Sequence, residues 1–125
     1  MALPGSALIP GWRVRGEAPA DLSTDPAVAA GAAAVVLDAD RLVAPLSVRA
    51  PAAGDRVRLV YGRRKLADIL IDAKVPRQER RRLAVVSCGD DILWVPGVVR
   101  SIVAGPSPAT RRFAVLRAER QVGST

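Results

Sequence analysis

The segment RRKLADILIDAKVPRQERRR, residues 63–82, combines a helical apolar stripe with many basic residues and one proline. Apolar side chains follow the i, i+3, i+4, i+7 spacing of one helix face, at Leu66, Ile69, Leu70 and Ala73. Pro76 drives Val75 out of the helical conformation and is itself a favourable first residue of a helix. The segment therefore predicts two short helices, the first packed on a core through its apolar stripe.

The positive charge of the chain is concentrated in and just before these helices. The whole chain carries a formal net charge of +7. Residues 56–82, the basic segment, contain ten Lys and Arg against three Asp and Glu, so this segment alone accounts for the net charge. A localised basic surface is typical of proteins that bind a polyanion such as nucleic acid. A solvated basic face that serves only solubility is the alternative, and charge alone does not choose between them.

The composition excludes several kinds of chemistry. The chain has no histidine and a single cysteine, Cys88, so it has no His general base, no cluster of His and Cys metal ligands and no intrachain disulfide. Cys88 ends the apolar run LAVVSC, which is typical of a buried, inert thiol. No phosphate-binding G-x-x-x-x-G-K-[ST] loop is present. We therefore expect no catalytic residue, no cofactor and no metal site in this chain.

Aromatic residues and long apolar runs are scarce. The aromatic residues are Trp12, Tyr61, Trp94 and Phe113. A stacking platform for single-stranded bases needs several exposed rings, so we expect a polyanion to be held through its phosphates and its shape. The longest apolar run, residues 27–37, is too short to span a bilayer, and no secretory signal opens the chain. The expectation is a cytoplasmic protein without a membrane partner.

Outside the two helices, alternating apolar and polar residues predict strands. These strands are expected at residues 11–16, 34–40, 46–50, 56–60, 82–88, 91–99 and 110–118. The expected fold is α+β, a small mixed or antiparallel sheet with the short helical pair packed on one face. One core is expected to contain Leu66, Ile69, Leu70, Val85, Ile92, Trp94 and Val115. The expected organisation is a strand and loop extension (1–41), one domain (42–118) and a flexible tail (119–125).

Four elements of the sequence, taken in order, resemble a known family. They are the turn GDR (54–56), the basic helix and the DAKVPR break within GRRKLADILIDAKVPRQER (62–80), and the strand ILWVPG (92–97). LDADRL (37–42) and PLSVR (45–49) are also similar to the family's entry into this domain. Together they resemble the C-terminal domain of tRNA(Ile)-lysidine synthetase, over about Leu42 to Leu116. One departure is the short link LVYGRRK, which lacks the P-x-G-x-x-G sequence usual between the GDR strand and the helix. The resemblance therefore implies no tRNA contact at this link.

The resemblance implies a function in tRNA modification. The family enzyme uses ATP to join lysine to an anticodon cytidine of a minor isoleucine tRNA. Its ATP-binding domain carries a Ser-Gly-Gly-x-Asp-Ser loop that this chain does not contain. The resemblance thus implies a tRNA-binding region that is inactive in ligation by itself, with tRNA and the enzyme's ATP-binding domain as partners. A structural or protein-interaction remnant is the second hypothesis. The sequence leaves open the oligomeric state, and whether the chain is a separate gene product, a degenerate remnant or part of a longer protein.

The basic segment supplies the candidate RNA-binding residues. Arg63, Arg64 and Lys65 are expected at the start of the first helix, where the helix dipole disfavours cations and a ligand would explain them better. The full candidate set is Arg63, Arg64, Lys65, Lys74, Arg77, Arg80 and Arg81. The family resemblance matches Lys65, Lys74 and Arg77 most directly, whereas the others depend on charge alone.

Overall fold

The computed structural model describes residues 5–18, 33–43 and 45–120. Within these ranges the first strands are β1 (Gly5–Ile9), β2 (Trp12–Glu17), β3 (Ala33–Asp38), β4 (Leu46–Arg49) and β5 (Arg56–Leu59). The remaining strands are β6 (Gly62–Lys65), β7 (Val85–Cys88), β8 (Asp91–Val95), β9 (Val99–Arg100) and β10 (Phe113–Arg120). The helices are α1 (Leu66–Asp72) and α2 (Arg77–Arg80), and a 3-10 turn covers Ala39–Arg41.

These strands form two antiparallel sheets and a separate hairpin. The first sheet has the order β1-β2-β10-β3, the second has the order β4-β7-β8-β9, and β5 pairs with β6 alone. Every described pairing is antiparallel. Two short helices accompany these sheets, so the predicted α+β class is confirmed.

The second sheet separates two hydrophobic clusters. Val86 of β7 belongs to the cluster shared with Trp12 and Val14 of the first sheet. Its neighbour Val85 belongs to the cluster shared with the hairpin and with the apolar stripe of α1, including Leu66. Adjacent residues of a strand point to opposite faces, so β7 contributes to both clusters. The result is a three-layer arrangement: first sheet, second sheet, then α1 with the hairpin.

The prediction of one core is therefore wrong, although all seven predicted core residues are buried. Trp94 lies in the cluster between the two sheets. The cluster under α1 contains Leu66, Ile69, Leu70, Val85 and Ile92. Val115 belongs to neither cluster, because strand alternation places it on the face of the first sheet opposite to Leu116.

A β-bulge in β8 explains the position of Trp94. Val86 pairs with Trp94 while Ser87 pairs with Ile92, which leaves Leu93 as an extra residue between the two pairs. Leu93 and Trp94 consequently both join the cluster between the sheets. One inserted residue breaks the two-residue alternation of a strand. Alternation in the sequence could not decide the orientation of Trp94 for this reason.

Several element boundaries differ from the predictions. The last strand begins at Phe113 and continues to Arg120, because Glu119 and Arg120 pair with Arg13 and Trp12 of β2. The predicted tail therefore starts inside β10, and β1 was not predicted at all. Helix α2 makes about one turn instead of two. The predicted loop at residues 19–32 and the tail residues 121–125 lie outside the described residues, and the division into domains stays a prediction.

Candidate nucleic-acid interface

The β5–β6 hairpin carries four exposed basic side chains on one face. Arg56 lies opposite Lys65, and Arg58 lies opposite Arg63. Directly opposed residues share a face, and every second residue along a strand returns to it. These four side chains form the basic hairpin face. Val57 points the other way and is fully buried in the cluster under α1.

Both pairs on the basic hairpin face bring like charges together. Like charges directly opposite each other destabilise a sheet. Across residues 5–18, 33–43 and 45–120, no carboxylate forms an ion pair with any of these four side chains. The face therefore keeps its charge available for an external anion at some cost in stability.

A polar cavity of about 420 Å³ lies beside this face. Arg58 and Arg63 line it on one side, and Asp90 and Asp91 line it from the β7–β8 turn. Asp90 is exposed and makes no ion pair within the described part of the chain. Its negative charge therefore lowers the positive potential beside the basic hairpin face.

Arg63, Arg64 and Lys65 lie in strand β6, so their predicted position in the first turn of a helix is wrong. The pairing of β6 with β5 holds these residues extended, and α1 begins only at Leu66. The amide of Leu66 donates to the carbonyl oxygen of Asp55, at 2.9 Å. Arg63 and Lys65 are therefore disfavoured by the like-charge pairs across the hairpin, and neither lies within α1.

Arg64 points to the opposite side of the hairpin from its neighbours. It donates a hydrogen bond to Asp72, the last residue of α1. This hydrogen bond is the main cause that raises the pKa of Arg64 above its ordinary value. Arg64 therefore connects β6 to α1, whereas Arg63 and Lys65 stay on the basic hairpin face.

Lys74 lies two residues after the last residue of α1, in a left-handed conformation with φ of 57°. The amide of Val75 donates to the carbonyl of Leu70, and the amide of Lys74 donates to the carbonyl of Ile71, both at 3.0 Å. This pair of bonds is the Schellman motif, in which glycine usually occupies the left-handed position. A lysine in this conformation makes the end of the helix less stable than a glycine would, so helix termination alone does not explain it. Its side chain is exposed at the end of α1 distant from Lys65.

The arginines of α2 and its end differ in exposure. Arg77 and Arg81 are exposed, whereas Arg80 is half-buried and its Nε donates to the carbonyl of Val75 at 3.0 Å. Arg80 and Arg81 line a shallow pocket with Leu66. The structure thus brings Arg80 and Arg81 beside the first turn of α1, while Lys74 and Arg77 flank the break between the helices.

The GDR turn, residues 54–56, has a structural role, because its hydrogen bonds fix the chain where β5 begins. Arg49 donates two hydrogen bonds of 2.9 Å to the Asp55 carboxylate, and the amide of Ala52 donates a third of 2.7 Å. Burial raises the pKa of Asp55, but these bonds and the charge of Arg49 outweigh it, so the pKa lies below its ordinary value. Gly54 provides the positive φ, 84°, that the turn needs. The turn thereby positions Arg56 at the beginning of the basic hairpin face.

Arg56 and Arg58 were not among the candidate residues, although they complete the basic hairpin face. The sequence RVRL, residues 56–59, alternates basic and apolar residues, which predicts that both arginines point to the same face of a strand. Their proximity to Arg63 and Lys65 depends on the pairing of β5 with β6, whereas the helical pattern placed residues 63–65 in a helix.

Residues 5–18, 33–43 and 45–120 contain neither a cluster of metal ligands nor a helix able to cross a membrane. No three His, Cys, Asp or Glu side chains in these ranges are grouped as metal ligands would be. No helix in the same ranges has the length and apolar character needed to cross a membrane.

Comparisons with known proteins relate this chain to enzymes of tRNA modification. Residues 46–107 match the family model described as the TilS substrate C-terminal domain. The tRNA(Ile)-lysidine synthase of Symbiobacterium thermophilum is 48% identical over 77 residues, which cover 60% of this chain and 16% of that protein. The bifunctional protein TilS/HprT of Listeria monocytogenes is 40% identical over 92 residues, 71% of this chain and 14% of that protein.

A solved structure supports the same assignment. A crystal structure of a TilS C-terminal domain superposes with a TM-score of 0.78 at 31% identity, over 97% of this chain and 94% of that one. The chain spans only about a sixth of the length of the Symbiobacterium relative. The sequence resemblance is confirmed, and the chain belongs to the family of TilS C-terminal domains.

Proposed function

We propose that this chain binds tRNA as the C-terminal region of a tRNA(Ile)-lysidine synthase and does not catalyse ligation by itself. The basic hairpin face is the observation that carries the proposal. Four exposed bases lie on one face in two like-charge pairs, with no ion pair to a described carboxylate. A phosphate backbone would relieve this repulsion. The complete enzyme would attach lysine to the anticodon cytidine of a minor isoleucine tRNA, using ATP bound by another domain.

The remaining candidate bases extend this surface along α1 and α2. Lys74 and Arg77 are exposed beyond the far end of α1, a helix about 10 Å long. That length corresponds to about three phosphates of one strand, counted along the axis of a B-form duplex. The hydrogen bond from Arg80 to Val75 rigidifies the break between the helices. Two basic groups at a fixed separation suit a folded RNA better than a flexible tail would.

The decisive measurement is the salt dependence of tRNA binding. Each neutralised phosphate contributes a slope of about −0.9 to the plot of log K against log salt, so four contacts give a slope between about −3 and −4. We expect Arg63→Gln with Lys65→Gln to weaken binding and to flatten the slope by about two units. Removing these bases also removes both like-charge pairs, so weakened binding would not result from loss of folding.

The matched control neutralises two exposed bases outside the basic segment, Arg13→Gln with Arg111→Gln. Arg13 lies on the far side of the first sheet, because Trp12 and Val14 face the cluster between the sheets. The control should bind nearly as well as the unchanged chain. Equal losses from both double variants would refute a localised surface and leave only bulk charge.

The alternative is a structural or protein-interaction remnant that does not bind tRNA. Absence of tRNA binding at low salt would favour this alternative. The ATP-binding domain of the same enzyme is then the partner to test. A mixture of that domain with this chain should elute as one complex in size-exclusion chromatography if the basic segment serves domain contact instead of RNA.

A further inference from the structure

Two large apolar residues form the tip of the β5–β6 hairpin and are almost fully exposed. Val60 is 88% exposed and Tyr61 is 77% exposed. The next residue, Gly62, takes the positive φ of 123°. Turns favour small polar residues and glycine, so the conformation does not require an aromatic ring here. The tip therefore presents an aromatic side chain that the packing of the domain does not use.

A groove of about 710 Å³ lies beside this tip. Its apolar walls include Leu59, Ile69 and Ile102, and Arg64 and Arg100 also line it. The amide of Ile102 donates to the carbonyl of Arg58 at 3.0 Å, which fixes the opposite wall against the hairpin. A nucleobase has flat apolar faces and polar edges, so apolar walls with a few donors match its chemistry.

The hairpin tip joins this groove to the basic hairpin face. Tyr61 and Arg63 are two residues apart, which is at most about 7 Å along the chain. A strand whose phosphate contacts Arg63 would therefore bring the next base within reach of the ring. Tyr61 and Arg64 both line the groove. The ring therefore lies at the edge of the groove.

We propose that this groove holds one unpaired nucleobase of the bound RNA, stacked on Tyr61. The inference depends on the proposed RNA binding and adds to it a contact with a base, where the basic hairpin face would contact phosphates. One exposed ring suffices for one base, whereas a platform for several bases would need several rings. The ligand is therefore an RNA with an unpaired nucleotide next to the phosphates that the basic hairpin face contacts.

The experiment compares two RNA ligands of equal charge. Each is a short duplex with a single-stranded extension, normal in one ligand and abasic in the other, so that only the unpaired bases differ. We expect the unchanged chain to bind the normal extension at least about fivefold more tightly, the lower end of what stacking on an aromatic side chain provides. A 2-aminopurine base in the extension should lose fluorescence on binding.

Substitutions then assign the effect to the ring. Tyr61→Ala should bind the two ligands with equal affinity, and its affinity for the abasic ligand should be unchanged. Tyr61→Phe should still bind the normal ligand more tightly than the abasic one. Ile71→Ala removes another exposed apolar side chain, on α1 and outside the groove, and should also retain this difference in affinity.

Equal, salt-dependent affinity of the unchanged chain for both ligands would overturn the stacking inference alone. Persistence of the difference in Tyr61→Ala would overturn it as well. Failure to bind either ligand at low salt would overturn the proposed RNA binding and this inference together.

Discussion

Arg56 lies directly opposite Lys65 in the β5–β6 hairpin, with both side chains exposed on the same face. Cross-strand neighbours of like charge repel, and opposite charges attract, in each case by a fraction of a kcal/mol. The pair therefore reduces the stability of the hairpin and increases its attraction for anions. Stability and RNA binding should respond in opposite directions when this pair is changed.

Lys65→Glu should stabilise the domain, because it replaces a repulsive pair with an attractive one opposite Arg56. We expect the free energy of unfolding to rise by about 0.5–1 kcal/mol, measured by urea denaturation at low salt. The same variant should bind tRNA at least about tenfold more weakly, since a phosphate contact is replaced by repulsion. A variant that is less stable than the unchanged chain would contradict the repulsion argument.

Lys74→Gly should also stabilise the domain and weaken tRNA binding. A non-glycine residue in the left-handed region costs about 1–2 kcal/mol, and glycine removes this cost at φ of 57°. We therefore expect about 1 kcal/mol of added stability in urea denaturation. Lys74→Ala is the matched control, because it removes the charge but retains the strained backbone. It should lose affinity equally without gaining stability, and equal stability of the two variants would exclude backbone strain as the reason.

Local patterns predicted α1 well and the site only in part. The apolar stripe of α1 repeats within one helix, so its burial at Leu66, Ile69 and Leu70 was predictable from spacing alone. The basic hairpin face depends instead on the pairing of β5 with β6, which overrode the helical expectation at Arg63. The two separate clusters depend on which layers cover each face of the second sheet. That arrangement is set by contacts between distant parts of the chain.

Asp90→Asn should strengthen tRNA binding. Asp90 lines the cavity beside Arg58 and Arg63 and makes no ion pair to any described residue. Removing one negative charge near a surface phosphate contact should raise affinity about twofold at low salt. The gain should disappear near 1 M salt, where the screening length falls to about 3 Å. An unchanged affinity at low salt would show that RNA phosphates do not approach this side of the hairpin.

Asp55 should make folding depend on pH in the acid range. Its pKa is lowered in the folded state, so the ionised carboxylate stabilises the domain above the ordinary value of 3.8. This contribution is lost as the pH falls through the lower pKa of the folded state. Asp55→Asn weakens the bonds from Arg49 and Ala52, so we expect it to be about 2 kcal/mol less stable at neutral pH.

The difference in free energy of unfolding between the unchanged chain and Asp55→Asn should therefore shrink as the pH falls below about 3.8. Urea denaturation at a series of pH values measures this difference directly. Arg49→Gln removes the cationic partner of the same carboxylate, so it should reduce the pH dependence without abolishing it, because the amide of Ala52 still donates. A stability gap that stays constant into the acid range would mean that ionisation of Asp55 does not stabilise the GDR turn.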